Sequence, residues 1–134
     1  MKVDILLFGS KGQLGSIIKN HFKDKYKLIS LHKRSIRYEG NFLKEKSLID
    51  SIRKIKPKII INAAAFTAVD DAENNKKINK IINETIPGKI AVETKKLNAL
   101  LIHFSTDYVY SGIGKKPWTE KNKMIPKNYY GLSK

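Results

Sequence analysis

The chain has 134 residues, with 24 lysines and three arginines against 12 acidic residues and no cysteine, for a formal charge of +15. At 41% hydrophobic and 29% charged it has the composition of one globular domain, not of a disordered, collagenous or coiled-coil chain. Without cysteine there is no disulfide scaffold, thiolate metal site or Cys nucleophile, and a reducing cytoplasm is the expected setting.

Val3 to Phe8 is a short apolar run ended by Gly9, the pattern of a strand buried on both faces. Asp4 breaks the run, which falls well short of a secretory signal or of the ~20 residues of a spanning helix, so neither export nor a membrane partner is expected. From Leu14 the period changes: Leu14, Ile17, Ile18 and Phe22 follow helical spacing, with Lys19, Asn20 and Lys23 opposite. Lys27 to Leu31 reads as a second strand. Leu48, Ile49, Ile52 and Ile55 mark another helix, stopped by Pro57, and Lys58 to Asn62 gives a third strand through Ile59, Ile60 and Ile61. Ile78, Ile81 and Ile82 suggest a further helix, Pro87 to Leu97 a separate one beginning at its proline, and Ala99 to Phe104 a fourth strand. Beyond Ser105 the periodicity fades into Gly112, Gly114, Pro117 and Pro126.

Strands alternating with helices predict right-handed crossovers and an α/β, doubly wound parallel sheet of the Rossmann type, with ligands beyond the carboxyl ends of the strands. Four strands are found where a complete fold of this type has six, so residues 1–134 are expected to form one incomplete domain. The excess charge raises the question of nucleic acid, but lysine is scattered over almost every segment and only Arg34, Arg37 and Arg53 are arginine. Phosphate and base forks are preferentially built from arginine, so no nucleic-acid partner is expected; an anionic ligand is.

The first loop, Gly9-Ser10-Lys11-Gly12-Gln13-Leu14-Gly15, is a GxxGxxG between a strand and a helix. Glycines there let the backbone approach a pyrophosphate that the free N–H groups of the helix N-terminus stabilise. About 20 residues on, where an NAD site places an acidic residue, the chain has His32, Lys33 and Arg34. Cations suit a 2′-phosphate, which favours NADPH over NADH; solvated charges in a lysine-rich chain are the plain alternative. The fourth strand ends in Ser105 and Thr106, two hydroxyls at the carboxyl edge, and Tyr130 and Lys134 stand four apart, on one face of any helix that holds them. An ammonium near a phenol favours phenolate, so such a tyrosine can donate a proton near neutrality.

Taken in order, the glycine loop, Gly40 to Phe42, the stretch Asn62 to Glu73 (NAAAFTAVDDAE), Asn83, Ser105 to Gly112 (STDYVYSG), Pro117 to Glu120 and Pro126 to Lys134 (PKNYYGLSK) resemble the dTDP-4-dehydrorhamnose reductase family. That family sits among the extended short-chain dehydrogenase/reductases acting on nucleotide sugars. The resemblance implies reduction of the 4-keto group of a dTDP-linked 6-deoxy sugar by NADPH or NADH, toward dTDP-rhamnose and cell-surface polysaccharide. Tyr130 would protonate the C4 oxygen, Lys134 would lower its pKa and hold the nicotinamide ribose, and Thr106 would hydrogen-bond the same oxygen. Gly9, Gly12 and Gly15, with Gln13 and Leu14, would approach the pyrophosphate. His32, Lys33, Arg34, Asn41 and Phe42 would meet the adenosine end, and Ala63, Ala64 and Ala65 would leave room beside the third strand. Asn83 and Asp107 match family positions, where a structural hydrogen bond explains either as well as a catalytic role.

Departures from the pattern carry expectations of their own. His32 and Asn41 stand where the family often has Asp, which again points to NADPH. Ile17 stands near an acidic residue that some members use for magnesium, so no metal site is expected. The family has roughly twice this length, so the chain is expected to lack the substrate domain and to be inactive alone. Its terminal helix is then expected to fray. The fourth strand would present an open edge that could pair two copies into a homodimer. The competing reading is a non-catalytic NAD(P)-binding regulatory module of the same fold.

Overall fold

The computed structural model describes residues 3–134. Four parallel strands, β1 (Ile5–Phe8), β2 (Leu28–Leu31), β3 (Ile59–Asn62) and β4 (Leu100–His103), lie in the order β2-β1-β3-β4. The chain therefore winds outward from β1 to β2, crosses back over β1, and continues from β3 to β4. That reversal between β1 and β3 is the topological switch point, where the carboxyl ends of neighbouring strands diverge and leave a crevice. The doubly wound α/β sheet expected from the sequence is the one formed, with each strand trimmed by a residue or two at its ends.

Helix α1 (Gln13–Phe22) covers one face, packing Ile18 and Phe22 on Ile5, Leu7 and Ile61. Helices α2 (Glu45–Ile55) and α5 (Ile86–Lys96) cover the other, where Leu6, Phe8, Ile60, Leu48, Ile52 and Ile90 are fully buried. Each such side chain contributes ~1.5–3 kcal/mol by leaving water, and β1, buried at every position, is the centre of the core. Helix α2 stops as its sequence dictates. Lys56 turns left-handed at φ 47°, its N–H returns to the carbonyl of Ile52, and Pro57 cannot continue the helix.

The register pairs Ile59 with Leu100 and Ile61 with Ile102, so these two β4 side chains share the α1 face. Helix α1 does not reach them, and Leu100 remains 57% exposed. Strand β4 is thus an open edge, as expected.

Two elements differ from the sequence expectation. Val69–Asn74 forms a short helix, α3, within the motif stretch. The two helices expected either side of Pro87 are one continuous run: α4 (Lys76–Lys80), a π-turn (Ile81–Thr85) and α5. The wider turn resolves the proline problem. Pro87 has no N–H to give and would crowd the carbonyl four residues back, whereas the π-turn shifts the ladder so that the Ile86 N–H bonds the Ile81 carbonyl.

Candidate active site

At the switch point the glycine loop folds tightly. Gly9 has φ +80°, and a Cβ there would lie 2.6 Å from the backbone of Ala63 and Ala64, so only glycine fits. A Cβ on Gly15 would come within 2.1 Å of the Gly9 carbonyl oxygen. Gly15 is therefore the contact that lets α1 sit against the loop; it packs helix on loop instead of lining the cleft. The N-terminus of α1 has no side-chain cap and no acidic residue in its first turn, leaving its N–H groups and positive dipole end for an anion.

Two cavities meet over this loop and share Gly12, Ala63, Ala64 and Ala65 in their walls. The first, about 490 Å³, runs from Gly9 to Lys11, His32, Lys33, Arg34 and Gly40. The second, about 400 Å³, runs past Gln13 and Leu14 to Thr67, Ser105, Tyr130 and Lys134. Together they form one trough, cationic at one end and carrying a phenol and an ammonium at the other. The fit to an extended dinucleotide rests on the length of this trough, with Gly12 in the walls of both cavities and the uncapped N-terminus of α1 beside it.

At the cationic end the backbone turns on itself. The His32 N–H donates to Ser35 Oγ at 2.9 Å, and the Arg34 N–H donates to His32 Nδ1 at 3.1 Å. Desolvation, with Lys11, Lys19 and Arg34 nearby, pushes the imidazole below its ordinary pKa. Asn41 spends its side chain locally, accepting from the Leu43 N–H at 3.0 Å. Phe42, expected to meet the cofactor, is instead buried at 5% exposure and meets Phe8 edge-on at 5.6 Å. Its place in the core follows from its apolar ring; Gly40, two residues earlier, lines the trough.

At the other end Tyr130 and Lys134 belong to α6 (Tyr129–Ser133) and the residue after it. The first turn of the helix is tied down by side chains from outside it. Asn128 Oδ1 caps it by accepting from the Gly131 N–H at 2.8 Å, and the Tyr129 N–H donates to Glu73 Oε1 at 2.7 Å. Lys134 Nζ donates to the Phe104 carbonyl at 2.6 Å, and burial holds its pKa below the ordinary value. Tyr130 is buried, meeting Tyr108 edge-on at 5.6 Å. Thr106 stands just outside the wall: its Oγ1 accepts from the Tyr108 N–H at 3.3 Å and donates to Asp107 Oδ1 at 3.3 Å, while Ser105 lines the trough.

Several contributors carried no strong signal in the sequence. Asn62 Oδ1 accepts from the Ala64 N–H at 3.0 Å and its Nδ2 faces His103 Nδ1 at 3.1 Å, fixing the alanine loop from β3 and β4. Lys11, Thr67 and Glu73 join them. Among the described residues no cluster of His, Cys, Asp and Glu could hold a metal ion, and no helix is long and apolar enough to cross a membrane.

The switch-point loop, the uncapped helix and the trough define a Rossmann-type α/β domain. The chain belongs to the family described as RmlD substrate binding domain, whose model matches residues 1–134. It is 38% identical over 132 residues to the dTDP-4-dehydrorhamnose reductase of Salmonella typhimurium, covering 98% of this chain and 44% of that protein. The crystal structure of a dTDP-4-dehydrorhamnose reductase from Clostridium acetobutylicum matches with a TM-score of 0.89 at 30% identity, covering 97% of this chain and 45% of that one. A Bacillus anthracis dTDP-4-dehydrorhamnose reductase in complex with NADP matches with a TM-score of 0.88 at 29% identity, over 99% of this chain and 46% of that one. The chain thus spans a little under half the length of these relatives.

Proposed function

We propose that this chain is the NAD(P)-binding domain, residues 1–134, of a longer cytoplasmic dTDP-4-dehydrorhamnose reductase, and that its own ligand is NADPH. The observation that carries the reading is the single trough joining Lys33 and Arg34 to Tyr130 and Lys134 across the glycine loop. The relatives' names and the NADP held by the Bacillus anthracis protein support it.

The nicotinamide, when bound, supplies the hydride that reduces the C4 carbon of the sugar. The chain's residues do the rest. Gly9 and Gly12 let the backbone approach the pyrophosphate, and the N–H groups opening α1 neutralise it. His32, Lys33 and Arg34 meet the 2′-phosphate through charge-assisted hydrogen bonds. The Tyr130 hydroxyl gives its proton to the C4 oxygen, completing the alcohol, while the Lys134 ammonium stabilises the phenolate left behind. Thr106 holds the same oxygen with the proton it otherwise gives to Asp107. The residues that select the sugar would lie in the remaining length of the relatives, which this chain does not span.

The test is a titration of the purified chain with NADPH and NADH, beside an assay with dTDP-4-dehydrorhamnose. NADPH binding without turnover is expected; no binding of either nucleotide overturns the reading. In a chimera with the remaining part of the Salmonella typhimurium relative, turnover is expected, and Tyr130→Phe should lower it by about 10²–10⁴-fold with binding kept.

A further inference from the structure

Lysines that are scattered along the sequence are gathered by the fold. In a parallel sheet each helix returns to the start of the next strand at the same end, here the end opposite the trough. The register brings those starts level: the Asp4 N–H donates to the Lys27 carbonyl at 3.0 Å, the Lys58 N–H to the Val3 carbonyl at 3.2 Å, and the Leu100 N–H to the Lys58 carbonyl at 2.9 Å. Each returning segment delivers two exposed lysines: Lys25 and Lys27 before β2, Lys56 and Lys58 before β3, Lys95 and Lys96 before β4. Lys23 and Lys54, at the ends of α1 and α2, add to them.

Few carboxylates answer these charges. Asp4 pairs with Lys58 at 2.7 Å, Glu93 pairs with Lys96 and Arg53 at 2.8 Å each, and Asp24 is exposed in the first segment. Among the described residues, the ammonium groups of Lys25, Lys27, Lys56 and Lys95 meet no carboxylate. The helix dipole accounts for cations in a last turn, but its pull fades within that turn, and Lys25 and Lys27 stand beyond the end of α1 at Phe22. Tyr26, 49% exposed, lies between them.

We infer that this lysine face is a docking surface for an anionic lipid bilayer, held against the leaflet with the nucleotide trough facing away. The residue types favour a bilayer over nucleic acid. Arg53, the arginine at this end, is committed to Glu93 through Nε and Nη2, which leaves point charges where a phosphate or base fork would want a guanidinium. A leaflet asks only for such charges within a Debye length of its surface, and an exposed tyrosine suits the headgroup level. The expectation of no membrane partner rests on spanning segments, which a surface contact does not need. Both cavities of the trough open at the other end, so the docked chain keeps its nucleotide site free.

The inference does not rest on the reductase reading. Its test is co-sedimentation of the whole 134-residue chain with vesicles of phosphatidylcholine alone and of phosphatidylcholine mixed with phosphatidylglycerol. Binding is expected to the mixed vesicles only, with release at about 1 M salt, where the Debye length is about 3 Å. A triple variant with one change in each segment, Lys25→Gln, Lys56→Gln and Lys95→Gln, should weaken binding by roughly ten- to a hundredfold, since each lysine near an anionic leaflet is worth about fivefold. Lys25→Gln alone, with about a fivefold loss, decides the matter if the triple does not fold. The charge-matched triple Lys115→Gln, Lys116→Gln and Lys121→Gln, in the loop beyond the carboxyl end of β4, should leave binding unchanged. NADPH affinity should be the same on and off the vesicles; a loss on them would put the trough against the bilayer and overturn the assignment. Equal losses from the two triples, binding to phosphatidylcholine alone, or no vesicle binding would overturn it too. Displacement of the vesicles by duplex DNA at equal phosphate would overturn it in favour of nucleic acid.

Discussion

The two ends of the trough are built by opposite means. At the glycine loop the shape is set by backbone: Gly9 and Gly15 press against main-chain atoms, and β1 beneath them is entirely buried. At the Tyr130 end it is set by side chains that reach across the sequence, from Asn83 to Ser133, Glu73 to Tyr129 and Lys134 to Phe104. The first end shares the stability of the core. The second is a five-residue helix beside the exposed edge strand β4, and it holds only as well as its hydrogen bonds do. Nucleotide binding and proton donation therefore rest on parts of unequal stability, and damage to each should look different.

The largest effect should follow Gly15→Val. Its Cβ alone would stand 2.1 Å from the Gly9 carbonyl, so α1 must leave β1 and the loop must open. Chemical denaturation should show a loss of roughly 1–3 kcal/mol or more, and NADPH binding should disappear with it. A variant that keeps both full stability and binding would break the claim that this end is one piece with the core.

Within the binding end, charge can be separated from shape. Replacing Lys33 and Arg34 together by Ala should weaken NADPH about tenfold or more, leave NADH and the melting temperature unchanged, and flatten the salt dependence of NADPH binding. Because His32 lies below its ordinary pKa, its protonation adds a cation as pH falls, so NADPH should bind more tightly on the acid side. Equal losses for both nucleotides would place the 2′-phosphate elsewhere.

At the other end Asn128→Ala removes the α6 cap and should cost about 1 kcal/mol locally. Exchange at Gly131 should quicken while the unfolding midpoint of the core barely moves. A matching fall in global stability would mean that the two ends are one cooperative unit after all.

The same contrast governs what the sequence reveals. The strands, α1 and α2, the glycine loop and the open edge were legible because each is written in neighbouring residues: an apolar run, a helical period, a glycine where no side chain fits. Phe42 turns its ring inward because packing on Phe8 decides its direction, which a motif position does not encode. The helix break expected at Pro87 gives way to a π-turn, because widening the ladder by one residue removes the demand on the proline's missing N–H. The hydrogen bond from Asn83 to Ser133 spans 50 residues, and no local pattern announces a bond of that reach.

The last test concerns the join between α2 and α5, far from both ends. Glu93 receives Arg53 through two bonds of 2.8 Å, Nε to Oε2 and Nη2 to Oε1, and Lys96 Nζ through a third of 2.8 Å. The hydrogen bond from Arg53, with Lys96 second, pushes its carboxyl from an ordinary 4.5 down to about 2. A carboxylate whose folded pKa is depressed contributes stability that is fully present above the unfolded value and is lost as pH falls through the folded one. The melting temperature should therefore decline between pH 4.5 and about 2, and Glu93→Gln, already without the charge, should show a flatter decline across that window. Since α2 and α5 cover the same face of the sheet as Phe8 and Ile60, acid loosening there should reach the glycine loop before it reaches α6. Equal slopes for parent and variant would move the acid sensitivity to other carboxylates, of which Asp4, paired with Lys58 at 2.7 Å, is the next to test.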